Sequence, residues 1–412
     1  MKKAIPWLFL ILGIIFSTII WNYILLPYDA SNTINGQYSL NKINPLNDTL
    51  RGLFFIFFPL FLYLITFIKI NQKLINKKIF ESKITVSNKN IDYLCLILII
   101  FSIIEFYSLN YKNFLGSIDV HHEGTFLTAQ LNFFSKNQIW TGTFFDYGFL
   151  GNSIGIFFNS LFDGYSIGIQ RFFFKFLILL NKVLIILICR KIIISINLTS
   201  KKEILFLIFS LSSITLASFY EHVTPFHPRI FIYLIFTLLV FNIITAKNNS
   251  YFLSFFAGFF SLLSILFYWD IGTYINVLLI IFLLYLLFIK NYGNFYSIFL
   301  GILSSWIIFF VFTPGSEIKE FFNQYFIIIN VSDYLIGIEF PKPFSEKSTR
   351  HTKALLLIIF SGVFLINYIF DKLKNESLES KFLLFFIFIS SILFLKSGLT
   401  RSDGPHIKYS SG

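Results

Sequence analysis

The amino-acid sequence predicts an all-α fold, a polytopic bundle of transmembrane helices. Hydrophobic residues make up 56% of the 412 residues and charged residues only 13%, and the mean hydropathy is +0.74. An ordinary soluble domain carries roughly 25% charged residues, so this composition excludes a water-soluble enzyme, a nucleic-acid-binding protein and a disordered chain. The apolar residues also form long runs, each near the ~20 residues with which a helix crosses ~30 Å of hydrocarbon.

The apolar runs predict about eleven spans. They lie at residues 4–26, 52–71, 92–110, 168–189, 203–220, 230–246, 251–268, 271–289, 295–313, 354–370 and 381–396. The first run is too long for the apolar region of a signal peptide, so we expect it to stay in the chain as a span. The stretch 251–289 must turn once, because a single helix of this length would measure ~58 Å. Trp269-Asp270-Ile271-Gly272 is the expected turn.

The basic residues predict the orientation of the bundle. About half of them lie in the loops that face the cytoplasm when the N-terminus is cytoplasmic. This distribution explains the net charge of +12 as a topology signal, without a nucleic-acid partner. The apolar segment 147–162 is short and interrupted by Gly and Asn. We predict that it is re-entrant or lies in the interface, because a further crossing would reverse the sides of all later basic loops.

The predicted topology divides the chain into three parts. Residues 1–110 form N-terminal membrane helices, and residues 111–167 form an outer loop of catalytic type with short interfacial helices and the re-entrant segment. Residues 168–412 form a helical bundle with an outer loop at 314–353 and a short outer tail. All six histidines fall in loops on the outer face: His121, His122, His222, His227, His351 and His406. Because all six histidines fall on the same side of the predicted membrane, we expect the chemistry to take place on the outer face.

The densest polar group is Asp119-Val120-His121-His122-Glu123-Gly124. If a helix starts here, Asp119, His122 and Glu123 occupy positions i, i+3 and i+4 and share one face. Two carboxylates and an imidazole on one face can act as a general base with an orienting group, or bind a divalent metal. The alternative is a polar helix start at the membrane surface, with the carboxylates near the positive end of the helix.

Two other outer loops carry candidate residues. Asp146-Tyr147-Gly148 predicts either an ordinary turn or a turn that folds its loop back towards Asp119. The loop with His222 and Arg229 predicts either a charged anchor at the membrane edge or a phosphate site, for which arginine offers a bidentate fork. Asp270 is either a turn residue or a further acid of the same site.

A basic stripe lies on a predicted span. Arg171, Lys175 and Lys182 are four and seven residues apart, so they share one helical face. A cation inside a span costs several kcal/mol unless it is paired or hydrated. The side chains therefore either snorkel to the outer edge or face a cavity that suits a lipid phosphate. A last polar group, predicted to be either a disordered tail or a wall of the same site, follows the final span: Arg401, Asp403 and His406.

The order of these residues resembles a known family. Ile118-Asp119-Val120-His121-His122-Glu123-Gly124 continues to Gln130, Trp140 and Phe144-Phe145-Asp146-Tyr147-Gly148. This stretch resembles the first outer loop of polytopic GT-C-fold glycosyltransferases, which include the protein O-mannosyltransferases and the lipid A aminoarabinose transferases. Arg401-Ser402-Asp403 with His406 resembles a late Arg-x-Asp-x-x-His element of those proteins.

The resemblance implies a membrane glycosyltransferase of the bacterial inner membrane, with its active face periplasmic or extracellular. It would move a sugar from a polyprenyl-phosphate donor to a glycolipid, a polysaccharide precursor or a protein. Asp119 is the implied catalytic base, and Glu123 and His122 orient it or hold a divalent metal. The expected partners of the donor and its phosphate are His121, Asp146, Tyr147, Arg171, Lys175, His222, Arg229, Arg401, Asp403 and His406. The alternatives are a transporter or flippase of lipid-linked sugars and a non-catalytic accessory membrane protein.

Overall fold

The computed structural model of the chain describes residues 4–29, 34–75, 88–108, 122–136, 138–151, 167–196, 201–218, 226–246, 249–370 and 377–401. These residues are helical apart from their connections and one isolated parallel bridge between Ile338 and Arg401. The all-helical fold class is therefore confirmed for the described part of the chain.

The helices follow the apolar runs of the sequence. In chain order they are α1 (Ile5–Ile20), α2 (Gln37–Leu40), α3 (Leu46–Ile75), α4 (Lys89–Ser108), α5 (His122–Lys136), α6 (Ile167–Ser195), α7 (Lys202–Ser218), α8 (Phe226–Thr245), α9 (Tyr251–Phe267), α10 (Trp269–Phe288), α11 (Tyr292–Phe312), α12 (Gly315–Ile336), α13 (Thr349–Phe370) and α14 (Leu378–Thr400). Each of the eleven predicted runs forms a helix. The turn between α9 and α10 lies at Tyr268, whose backbone is extended, one residue before the predicted position.

Eight of the described helices are long and apolar enough to cross a membrane, so the protein is a multi-pass membrane protein. They are α1, α3, α4, α6, α10, α11, α13 and α14. The other predicted spans lie in α7, in Arg229–Thr245 of α8 and in α9, each 17 residues long. Such a helix measures ~25 Å, somewhat less than the ~30 Å of hydrocarbon. The count of eleven spans stays a prediction.

The chain packs as two units, which are defined by the contacts within each of them. The three parts predicted from the sequence were defined by membrane topology instead, so the two divisions do not test each other. Unit 1 consists of Met1–Lys83 and Ile329–Gly412, and unit 2 of Ile84–Ile328. In unit 1, α1 and α3 approach closely, because Gly13 leaves no side chain at the place where α1 meets Pro59 of α3. The core of unit 1 joins α1, α3, α13 and α14 through Phe55, Leu355 and Leu395, among others. The predicted three-part division stays a prediction.

A buried polar network, the Asp48 network, fastens the start of α3 in unit 1. The side chain of Asp48 is 0% exposed and accepts hydrogen bonds from the Tyr38 hydroxyl at 2.7 Å, the Phe340 amide at 2.8 Å and the Arg51 guanidinium at 2.9 Å. Arg51 also donates to the carbonyl of Ile24 at 3.1 Å. Burial and the neighbouring Asp48 carboxylate raise the pKa of Tyr38 well above its usual range, so its phenol remains a donor. The network therefore connects segments that are far apart in the sequence.

A close helix crossing in unit 2 joins α9 and α11. A Cβ at Gly258 of α9 would lie 2.0 Å from the carbonyl oxygen of Ile298, and a Cβ at Gly301 of α11 would lie 2.0 Å from that of Phe255. The two backbones thus touch where each helix presents a glycine to the other. Small residues at such crossings let membrane helices pack at short range.

Candidate functional site

The candidate site of unit 2 is centred on Arg229, near the start of α8. Its guanidinium carbon lies 5.0 Å from the ring centroid of Tyr147 and 5.1 Å from that of Tyr268. Its Nη1 atom lies 3.7 Å from a carboxylate oxygen of Asp270, in the first turn of α10. Cation–π contacts of a desolvated guanidinium contribute up to ~2 kcal/mol each. Three neighbours from two separate connections thus hold this arginine.

The two tyrosines form a V around the guanidinium. Their ring centroids are 5.8 Å apart with the planes tilted by 46°, so the three centres form a nearly equilateral triangle. The rings therefore do not sandwich Arg229 on opposite faces, which leaves one side of the guanidinium turned towards Asp270. At 3.7 Å the contact with Asp270 is longer than a hydrogen bond, so it is an ion pair between the two charges.

Tyr268 adds a buried donor to this cluster. Its side chain is 0% exposed, and its hydroxyl makes no hydrogen bond within the described residues. Burial raises the pKa of Tyr268 well above its usual range, against the opposing effect of Arg229. The phenol therefore stays protonated at neutral pH. A buried hydroxyl without a partner is costly, so a ligand or a water that accepts its proton would stabilise the site.

The loop that carries Tyr147 is shaped by Gly148 and Trp269. Gly148 has a φ of +129°, and a Cβ there would lie 2.7 Å from the carbonyl oxygen of Phe267. Only glycine adopts this backbone without strain. The Trp269 amide donates to the Tyr147 carbonyl at 3.0 Å, and its indole donates to the Phe145 carbonyl at 2.7 Å. Residues 146 and 147 form a bend that docks on the α9–α10 connection. Whether this bend folds the loop back towards Asp119 stays a prediction, since Asp119 lies outside the described residues.

Two polar side chains of α12 hold the same loop from another side. The buried carboxylate of Glu317 accepts hydrogen bonds from the amides of Trp140 and Thr141, at 2.6 and 3.1 Å, and from the Thr141 hydroxyl. Gln324 donates to the carbonyls of Trp140 and Thr143, both at 2.8 Å, and accepts from the Phe145 amide at 3.2 Å. These bonds satisfy buried backbone groups of the loop, and they hold in place the segment 140–145 that precedes Tyr147.

We expect Glu317→Ala to loosen this loop, because the substitution leaves buried amides at residues 140 and 141 without an acceptor. Hydrogen exchange followed by mass spectrometry should show at least ~10-fold faster exchange of the segment 138–146, since each lost charge-assisted bond contributes ~1.5–3 kcal/mol. The matched control is Glu320→Ala on the same helix, which removes an exposed contact with Asn323. Equal exchange in the two variants would contradict this role of Glu317.

A second pair of predicted residues joins the start of α5 to the start of α6. Arg171 binds Glu123 of α5 with two parallel hydrogen bonds, Nε to Oε1 at 2.5 Å and Nη2 to Oε2 at 2.9 Å. One turn further along α5, Phe126 stacks on Tyr147 with ring centroids 5.6 Å apart. Gln130 donates to Gln170 at 3.2 Å. The aromatic contact connects the helix of the Glu123–Arg171 pair to the Arg229 cluster.

The described residues thus bring together part of the predicted site. Glu123, Tyr147, Arg171, Arg229 and Asp270 belong to unit 2, with Asp146 half-buried beside Tyr147. Arg401 belongs to unit 1, where its backbone pairs with Ile338. Lys175 also belongs to unit 2, on α6 one turn after Arg171. The other predicted site residues lie outside the described residues: Asp119, His121, His222, Asp403 and His406, together with the side chain of His122.

The part of the chain that the structure describes contains no group of three or more His, Cys, Asp or Glu side chains suited to a metal. Glu123, one of the three predicted metal ligands, has both carboxylate oxygens bound to Arg171. A metal at this place would have to compete with the guanidinium. The metal-binding hypothesis for Asp119, His122 and Glu123 stays a prediction, since it depends on residues outside the described ones.

The structure also adds residues that sequence reasoning did not single out. Tyr268 and Trp269 lie in an apolar stretch, where an aromatic residue carries no distinctive signal. Glu317 follows Pro314-Gly315 and looks like an ordinary acid in the first turn of a helix. Its partners are 176 and 177 residues away, so no local pattern could have identified its role.

Comparisons with protein-family models, curated proteins and solved structures found no significant match. The functional argument therefore depends on the geometry of the site.

Proposed function

We propose that this protein is a membrane glycosyltransferase that moves a sugar from a polyprenyl-phosphate donor to an acceptor hydroxyl. The observation that carries the proposal is the Arg229 cluster: a guanidinium in a V of two tyrosines, with the Asp270 carboxylate 3.7 Å away and a buried phenol beside it. The residue types suit a sugar phosphate, because arginine binds phosphate oxygens and aromatic rings pack against apolar sugar faces. We place the protein in the bacterial inner membrane with this site on the outer face.

The reaction needs two groups: a cation that stabilises the leaving phosphate and a base that accepts a proton from the acceptor. A polyprenyl-phosphate sugar is a phosphodiester with one negative charge. When the bond between the anomeric carbon and the phosphate oxygen breaks, the leaving group becomes a phosphate monoester that carries a second negative charge. Arg229 stabilises this developing charge. Asp119 accepts the proton of the acceptor hydroxyl, whose oxygen forms the new bond to the anomeric carbon.

Turnover by purified protein tests the proposal. In nanodiscs supplied with polyprenyl-phosphate hexoses and pentoses and a glycolipid acceptor, we expect release of polyprenyl phosphate, measured by mass spectrometry. Asp119→Asn should lower kcat at least ~100-fold through loss of the base. Arg229→Gln should lower it by a similar factor of ~100 through loss of charge stabilisation.

The matched control for these variants is Arg190→Gln. Arg190 pairs with Asp92 at 2.7 Å near the other end of α6, so its loss removes a comparable ion pair away from the site. We expect its kcat to stay within a factor of two of the wild-type value. A wild-type rate in Asp119→Asn would contradict the assigned base, and a wild-type rate in Arg229→Gln would contradict the assigned phosphate site.

A transporter of lipid-linked sugars is the second candidate, and one observation favours it. Lys182 lies inside the span formed by α6 and pairs with Glu105 of α4 at 2.8 and 2.9 Å. Charged groups at such depth are typical of substrate or ion pathways. A transporter would move labelled lipid-linked sugar between the leaflets of a proteoliposome without releasing polyprenyl phosphate, so the same preparation separates the two functions.

A further inference from the structure

The hydroxyl of Tyr268 differs from that of a comparable buried tyrosine. A buried phenol usually finds a hydrogen-bond partner. Tyr63, whose side chain is 2% exposed, donates its hydroxyl to Asn367 at 3.1 Å. Tyr268 is 0% exposed, and its hydroxyl has no partner among the residues that the structure describes. The fold therefore leaves this buried donor without an acceptor, directly beside Arg229.

The position of the Tyr268 ring is fixed by its backbone and by a close neighbour. The Tyr268 amide donates to the Ser264 carbonyl at 2.9 Å, and the Tyr268 carbonyl accepts from the Gly272 amide at 2.7 Å. Gly151 lies against the hydroxyl end of the ring, where an added Cβ would be 2.8 Å from Cε2 and 3.0 Å from Cζ. The ring therefore has little room to turn on this side, and its hydroxyl stays at the Arg229 cluster.

The charged groups within electrostatic range of the Tyr268 hydroxyl are of both signs. Arg229 is the cation, and Asp146 and Asp270 are the acids. One oxygen of Asp270 accepts a hydrogen bond from the Ile271 amide at 2.9 Å. Since the carboxylates oppose an approaching anion, charge alone does not account for phosphate binding at this cluster. Directional hydrogen bonds must contribute, and a neutral phenol contributes one without changing the charge.

We propose that Tyr268 is a ligand-binding residue of the Arg229 cluster, with its hydroxyl donating a hydrogen bond to an oxygen of the donor phosphate. This inference rests on the proposed function, because it takes the phosphate of the sugar donor as the ligand. A phosphodiester has two non-bridging oxygens, so the guanidinium and the phenol can each hold one. The Asp270 side chain is 35% exposed, so the cluster reaches the surface on that side.

Binding of polyprenyl phosphate to the purified protein in detergent, followed by native mass spectrometry, tests the inference. This probe carries the phosphate but no sugar, so the measurement does not depend on turnover. Tyr268→Phe keeps the aromatic ring beside Arg229 and removes only the hydroxyl. We expect this variant to bind polyprenyl phosphate at least about tenfold more weakly, and to bind polyprenol, which lacks the phosphate, as the wild type does.

The stability of the ligand-free protein distinguishes ligand binding from a structural role of the same hydroxyl. Because the Tyr268 hydroxyl has no partner, its removal eliminates a buried unpaired group. We therefore expect the melting temperature of Tyr268→Phe in detergent to be unchanged or raised. The matched control is Tyr63→Phe, which removes a buried hydroxyl that is bonded to Asn367. This control should have a lower melting temperature and unchanged binding of polyprenyl phosphate.

Wild-type binding of polyprenyl phosphate by Tyr268→Phe would overturn the inference. A melting temperature of Tyr268→Phe as low as that of Tyr63→Phe would also overturn it, because the hydroxyl would then already have a partner in the ligand-free protein. Polyprenyl-phosphate binding that depends on Tyr268, in a protein that does not turn over the sugar donor, would count against the glycosyltransferase alone.

Discussion

Gly258→Ala is expected to lower the free energy of unfolding by ~3 kcal/mol. On helix propensity alone the same change would stabilise α9 by ~1 kcal/mol. The sign of the measured effect therefore shows whether close backbone contact or helix propensity dominates at this position. The added Cβ would lie 2.0 Å from the carbonyl oxygen of Ile298 and 3.0 Å from the amide nitrogen of Ile302. These neighbours are backbone atoms, so no side-chain rotation relieves the contact and α9 and α11 must move apart.

Thermal unfolding in detergent, monitored by size-exclusion chromatography, measures this effect. The matched control is Gly315→Ala, because a Cβ at Gly315 meets no atom within 4 Å, and we expect its melting temperature to be unchanged or raised. Gly301→Ala should resemble Gly258→Ala, and the double variant should lose less than the sum, since both residues belong to one crossing. A melting temperature of Gly258→Ala equal to that of the control would contradict close backbone contact at this crossing.

Asp48→Ala is expected to destabilise unit 1 by ~3–5 kcal/mol, the range observed when one partner of a buried ion pair is removed. The substitution leaves the Tyr38 hydroxyl and the Phe340 amide without their acceptor, and it leaves the buried charge of Arg51 without its closest partner. Asp48→Asn retains one acceptor oxygen and should have an intermediate effect. Unfolding by heat or by sodium dodecyl sulfate, followed by tryptophan fluorescence, provides the measurement.

Asp333→Ala is the appropriate comparison within the same unit. Asp333 pairs with Lys396 at 2.9 Å, but both side chains are partly exposed, at 19% and 36%. Ion pairs of this kind typically contribute ~0–1 kcal/mol. If Asp48→Ala and Asp333→Ala destabilised the protein equally, the Asp48 network would not have the role assigned to it.

The sequence predicted the helices well because their signal is local. Each apolar run contains its own evidence, and each coincides with a helix within a few residues at most ends. Gly148 was predicted at a turn because glycine next to Asp-Tyr is informative by itself. Arg229 and Asp270 were singled out because charged residues are scarce in this chain and lie at the ends of spans.

The long-range contacts could not be predicted from the sequence. Nothing local indicates that Tyr268 and Tyr147 meet around one arginine, or that Gln324 holds a loop about 180 residues away. Asp48 looked like any acid in the first turn of a helix, and its partner Phe340 carries no polar side chain to suggest contact. Aromatic residues are so frequent here, with 58 Phe and 21 Tyr, that no aromatic pair stands out in the sequence.

The discontinuous make-up of unit 1 sets an order of assembly during synthesis. The amide of Phe340 reaches Asp48 across 292 residues of chain, so translation at ~5–20 residues per second leaves this carboxylate waiting about 15 to 60 s for its partner. Unit 2 is continuous, and all of its residues have been synthesised before Phe340 is added. Unit 2 can therefore begin to fold before unit 1 is complete. Until then, Asp48 has its local partners Tyr38 and Arg51 but lacks the Phe340 amide. Whatever inserts this protein must tolerate an unfinished first unit until the last helices arrive.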